Sequence, residues 1–222
     1  MPNPPFALKV IPLTLTFISE GVAEFPEFPG SMLRGSLGKS LAKLLQSDGE
    51  PYRDKGFNLF NILYENALIT TEKLDASGKL DRSQLRAGYW FNALDSGGKI
   101  HQKGDIISFG FTLCEPYLKY LPRIIESFNL MGQKGLGMYG KKGKFRLLYI
   151  SASTADNNSY IVWNESAGIV CNNYQMISLS CFSNCEPSDD NIKLVFDTPT
   201  AHTNQISVYG SIPFQLLITS LC

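Results

Sequence analysis

Residues 131–146 read Met-Gly-Gln-Lys-Gly-Leu-Gly-Met-Tyr-Gly-Lys-Lys-Gly-Lys-Phe-Arg. Five glycines, Gly132, Gly135, Gly137, Gly140 and Gly143, fall within twelve positions. Glycine admits positive φ and lets another chain come close, so a regular element must stop here and the backbone must turn. Lys134, Lys141, Lys142, Lys144 and Arg146 are interleaved with these glycines, and no Asp or Glu occurs from Ser127 to Ala155. A flexible, basic, acid-free loop with Tyr139 near its middle suits a phosphate backbone. The competing reading is a mobile helix-to-strand connection whose lysines serve solubility.

Gly135, Gly137 and Gly140 also spell the dinucleotide-binding fingerprint. That fingerprint needs a strand before it and a helix after it, so that pyrophosphate meets the helix N-terminus. Here the order is reversed. Tyr117 to Leu130 predicts a helix, with Leu118, Leu121, Ile125 and Phe128 on one face. Phe145 to Ser151 predicts a strand. No nucleotide cofactor is therefore expected.

The other elements follow from periodicity. Phe6 to Ser19 is rich in β-branched and apolar residues and alternates apolar with Thr from Leu13 to Phe17, which predicts a strand. Pro12 marks an edge, a bulge or an early position in it. Glu20 to Pro29 reads as a proline-punctuated turn. Ser31 is placed to cap a helix running to about Gln46. Leu33, Leu37, Leu41, Leu44 and Leu45 form its apolar stripe, and Arg34, Lys39 and Lys43 project away from it. Asn58 to Ala67 is ambiguous between helix and strand. Ala87 to Leu94 and Asp105 to Cys114 predict further strands, separated by a Gly/Lys turn that carries His101. Trp90 and Phe91 are expected in the core.

The resulting order is β-α-β-β-α-β, an α+β fold of ferredoxin-like type with two helices on one face of an antiparallel sheet. This first domain is expected over residues 1–154. Ala155 to Ser159 reads as a linker. Tyr160 to Trp163, Gln175 to Ser180 and Asn191 to Asp197 then predict strands, and Ile212 to Leu221 a helix. These suggest a second, incomplete ferredoxin-like domain over residues 160–222.

The formal net charge is zero, so a polyanion site must arise from local segregation of charge. Besides the glycine stretch, Pro29 to Ser47 carries three cations and no acid. Five cysteines, an odd number without a dense framework, point to a reducing cytoplasm. Cys181 and Cys185 lack a second ligand pair at zinc spacing, so no metal is expected. No apolar run reaches membrane-spanning length.

Several of these segments resemble one family. Met32-Leu-Arg-Gly-Ser-Leu-Gly38 resembles the Leu-Arg-Gly helix start of the CRISPR RNA-processing endoribonucleases, of the RAMP superfamily. Lys103-Gly-Asp105 with the strand that follows resembles their strand before the second helix. Leu130 to Phe145 resembles their glycine-rich signature, the most specific of the matches. Ile192 to Thr200 resembles the Thr-Pro strand that opens their second domain.

The resemblance implies metal-independent cleavage of precursor CRISPR RNA, with no cofactor. A ribose 2′-OH would attack the adjacent phosphate, needing a base, an acid and a cation. Relatives often place a histidine in or just after the first helix, but Ser31 to Arg53 contains none. The candidate catalytic residues are then Lys39 and Lys43, with Tyr52 and His101 as proton carriers. Ser40 and Arg53 lie near the same place. The candidate RNA-binding residues are Arg34, Lys134, Gly135, Gly137, Tyr139, Lys141, Lys142, Lys144, Arg146 and His202. The expected partners are CRISPR repeat RNA, other CRISPR-associated proteins, or a fused or split C-terminal portion. Two alternatives stay open: a non-catalytic RNA-binding RAMP subunit, and a ferredoxin-like interaction module without RNA.

Overall fold

The computed structural model describes residues 9–48, 53–54, 57–63, 88–93, 96–171 and 173–178. The chain divides into two units, Met1–Glu186 and Pro187–Cys222, and every described residue lies in the first. The elements expected at Asn191 to Asp197 and Ile212 to Leu221, and also Tyr52 and His202, lie outside the described residues.

The frame is one antiparallel sheet. Strand β1 (Lys9–Ser19) is central, flanked by β7 (Ile106–Cys114) and β8 (Phe145–Ser153). Beyond β7 lies β5 (Tyr89–Asn92). Beyond β8 lie β9 (Ser159–Asn164) and β10 (Gly168–Ile169), and β11 (Ile177–Ser178) pairs with the start of β1. The order is β10-β9-β8-β1-β7-β5. The alternation read in β1 is a face rule: Ile11, Leu13, Leu15 and Phe17 are buried. Pro12 fits a central strand because β11 pairs only through Val10 and β8 only from Leu13 onward. Its missing N–H therefore faces no ladder partner on that side.

Helices α1 (Gly30–Asp48) and α3 (Leu121–Lys134) touch each other and share one core with the sheet. From α1 come Leu33, Leu37 and Leu41; from α3 come Leu121, Ile124, Ile125, Phe128 and Met131. Phe128 meets Phe111 at 5.0 Å and Phe91 at 6.5 Å between ring centroids. Burying each such side chain contributes roughly 1.5–3 kcal/mol. The expected second helix starts later than its apolar pattern suggests. Glu115–Tyr120 form a 3₁₀ turn, and Pro122 sets the α-helical start. At the other end Gly132 belongs to the helix, because only a glycine lets α3 lie this close to β8. A Cβ there would stand 2.4 Å from the Phe145 carbonyl oxygen.

Smaller elements complete the unit. The turn expected at Glu20 to Pro29 contains β2 (Ala23–Glu24), which pairs with β6 (Ile100–His101). Between α1 and β5 lie β3 (Arg53–Asp54), β4 (Phe57–Asn58) and the one-turn α2 (Leu59–Leu63). Two expectations need correction. Residues 155–158 are not a linker but close the hairpin between β8 and β9, with Asn157 at φ 58°. Tyr160 to Trp163 therefore extends the first sheet. Trp90 is 44% exposed, since its strand turns Tyr89 to the core and Trp90 to the opposite side. Among the described residues no helix is long and apolar enough to cross a membrane.

Candidate functional site

The glycine stretch links α3 to β8, and backbone hydrogen bonds pin it. Leu136 and Gly143 exchange both bonds, at 2.9 and 3.0 Å. The loop then docks on β2: Met138 N donates to Glu24 O at 2.8 Å, and Glu24 N donates to Lys141 O at 3.0 Å. Gly137 N donates to Met32 Sδ of α1 at 3.2 Å. Gly137 has φ 132°, and a Cβ there would lie 2.7 Å from Lys141 O and 3.1 Å from Glu24 O. The flexible loop expected from the glycine count is thus a tight, fixed structure. Its glycines serve close approach more than motion. Tyr139, fully exposed, and Met138, 41% exposed, form its tip.

Where this loop leaves α3 it faces α1 across a pocket of about 290 Å³. Ser36, Lys39, Ser40, Met131, Lys134, Gly135 and Lys142 line it. Ser36, Lys39, Ser40 and Lys43 recur at helical spacing on one face of α1. Lys134 Nζ donates to Lys39 O at 3.3 Å, which holds the end of α3 to α1. The Lys134 ammonium is pulled below the ordinary lysine range, first by partial desolvation and then by the like charges of Lys43 and Lys39. Among the described residues no carboxylate lies within ion-pair distance of Lys39, Lys134, Lys142 or Lys144. Ser40 is fully buried, and its Oγ has no hydrogen-bond partner. The site is an unneutralised cationic pocket with hydroxyl donors, chemistry that suits an anion.

The structure sorts the remaining sequence-predicted residues. Lys39, Lys134, Gly135 and Lys142 meet at the pocket, with Lys43 close enough to act on Lys134. Gly137 shapes the loop, while Tyr139 stands at its tip and Lys144 is exposed nearby. Lys141 is paired with Glu24 at 2.5 Å. Arg146 is paired with Glu165, and with Glu20 at 3.7 Å. Arg34 is half-buried, 5.6 Å from the centroid of the Tyr89 ring. His101 is not a solvated turn residue. It is 7% exposed on β6, edge-on to Phe25 at 4.7 Å and to Phe145 at 6.4 Å. It does not line the pocket, so it is not brought together with Lys39 and Lys43. Sequence reading named Ser40 only as a neighbour and missed Ser36. The signal was present, because both sit three or four residues from Lys39 or Lys43.

No curated protein matches this chain. The family model AF_1859_N, described as an N-terminal domain, matches residues 8–175, which are nearly the span from β1 to β11. With well over half of its length inside that match, the chain belongs to the AF_1859_N N-terminal domain family.

Proposed function

We propose that this chain is a guide-RNA-binding protein of the CRISPR-associated RAMP type. One observation carries the reading. Three lysines from separate segments, Lys39, Lys134 and Lys142, meet without carboxylate partners beside a fixed glycine loop whose tip presents a fully exposed tyrosine. Cations neutralise a phosphate backbone, and an exposed aromatic ring stacks on any base. The sheet order β8-β1-β7-β5, with α1 and α3 as the two crossovers, is that expected of a ferredoxin-like unit and agrees with the RAMP resemblance. That topology hosts many functions, so the lysines and not the fold bear the weight.

The second reading is cleavage of precursor RNA by metal-independent 2′-OH attack. The lowered Lys134 supports it, since an amine nearer neutrality is a better proton carrier than an ordinary lysine. The burial of His101 opposes it, because no histidine among the described residues reaches the pocket. Binding of a repeat hairpin RNA across a salt series tests the first reading. Affinity should fall steeply with salt, and Lys39→Ala, Lys134→Ala and Lys142→Ala should each flatten the slope by about one unit. A slope unchanged in all three variants would remove the pocket from the RNA path. Incubation of the same hairpin in EDTA tests the second. Cleavage must leave a 2′,3′-cyclic phosphate and stop when the nucleotide before the cut lacks its 2′-OH.

A further inference from the structure

We infer that the pocket between α1 and the glycine loop seats a phosphomonoester dianion, and that on bound RNA this is a terminal phosphate and not an internal linkage. The attachment to RNA rests on the reading proposed above; the seat itself does not.

The first argument is charge. An internal phosphodiester carries one negative charge and two free oxygens. A terminal phosphate carries close to two charges at neutral pH, its second pKa being about 6, and three free oxygens. Lys39, Lys134 and Lys142 bring three ammonium groups to the pocket, and Ser36 and Ser40 also line it. A single diester charge would leave most of that cluster unneutralised. The second argument is the donor at the wall. Ser40 Oγ is fully buried without a partner, and a buried hydroxyl left unmatched costs about 1–3 kcal/mol. A turn of its χ1 toward the pocket that Ser40 lines would let a phosphate oxygen accept from it. The third is size. About 290 Å³ lies just below the roughly 300–1,000 Å³ found for small-ligand sites, room for a phosphate and part of the nucleotide that carries it.

The experiment uses the full chain and one RNA in three forms: 5′-phosphorylated, 3′-phosphorylated, and hydroxyl at both ends. Anisotropy titrations at fixed ionic strength should show one phosphorylated form binding about tenfold more tightly than the hydroxyl form. Inorganic phosphate should erase that advantage by competition. Lys142→Ala and Ser40→Ala should each remove the preference, so that within either variant the phosphorylated forms bind no more tightly than the hydroxyl-ended form. Lys142 is exposed, so its variant keeps the test alive if Ser40→Ala fails to fold. A parallel arm measures thermal protection by inorganic phosphate, against chloride at matched ionic strength. Protection that is lost in Lys142→Ala, with no RNA binding at all, would uphold the seat and sink the RNA reading. Equal affinity of all three RNA forms would overturn the terminal-phosphate assignment. Absence of phosphate protection would overturn the seat.

Discussion

Replacing Gly137 and Gly140 by alanine, one at a time, separates the two jobs a glycine can do in this loop. Both have positive φ, 132° and 76°. At Gly140 an added Cβ meets nothing within 4 Å, so only the backbone conformation is penalised. That penalty is roughly 1–2 kcal/mol, partly offset by the stiffer unfolded chain, for a net cost near 1 kcal/mol. At Gly137 the Cβ would also stand 2.7 Å from Lys141 O and 3.1 Å from Glu24 O. Those two carbonyls accept the bonds that dock the loop on β2, from Glu24 N and Met138 N respectively. Relieving the clash must stretch both bonds, each contributing about 0.5–1.5 kcal/mol. With backbone strain of about 1–3 kcal/mol, Gly137→Ala should cost about 3 kcal/mol or more.

For a chain of this size each kcal/mol lowers Tm by about 2–4 °C. Gly140→Ala should therefore lose about 3 °C and Gly137→Ala about 10 °C, with urea midpoints in the same order. Hydrogen exchange gives a local readout. The Met138 and Glu24 amides should exchange faster in Gly137→Ala and unchanged in Gly140→Ala. Equal costs within about 0.5 kcal/mol, or unaltered protection of Met138, would refute the claim that close approach to β2 sets the loop's shape.

Tyr139→Ala should leave stability within about 0.5 kcal/mol, since the ring touches solvent only, yet weaken single-stranded RNA binding by about 1–3 kcal/mol in a filter-binding titration. Lys134→Met should raise the Tm of the unliganded chain at neutral pH. Because the Lys134 pKa is lowered on folding, the unfolded state holds more protons between the folded value and the ordinary 10.5. Stability should thus rise with pH through that window in the parent and rise less in the variant, as read by Tm against pH. Arg146→Ala should cost less than about 1 kcal/mol, both pairs being exposed, and should reduce RNA affinity less than Lys142→Ala in the same salt series.

The elements were legible where periodicity carried them. Leu33, Leu37 and Leu41 face the core as their spacing predicts, and so do Leu13, Leu15 and Phe17. What failed was inference about charge and environment, because neighbours in sequence are not neighbours in space. The stretch around Arg146 is free of acids along the chain, yet Glu24, Glu20 and Glu165 arrive from other elements to pair with Lys141 and Arg146. His101 sits among glycines and lysines and reads as solvated. Pairing of β6 with β2 instead turns it into the gap between Phe25 and Phe145. The pocket needs the α1 face and the end of α3 together, a juxtaposition that no local window contains.

The pattern of paired and unpaired lysines then acquires a physical meaning. The loop had acids available: Glu24 lies beside it and takes Lys141. A loop built for stability alone would have matched its other cations in the same way. Lys39, Lys134 and Lys142 are instead held in one pocket by elements that do not yield. The backbone bonds to β2 fix one side, the core packing of α1 fixes another, and the Lys134 bond to Lys39 O ties the third. The Lys134 pKa is lowered there, first by partial desolvation and then by the like charges of Lys43 and Lys39. An anion entering the pocket recovers that like-charge cost as binding energy. This makes a simple demand on the unliganded chain: neutralising one lysine must stabilise it, and the same change must weaken anion binding. A surface lysine cluster kept only for solubility would show neither effect, because free lysines separate at almost no cost.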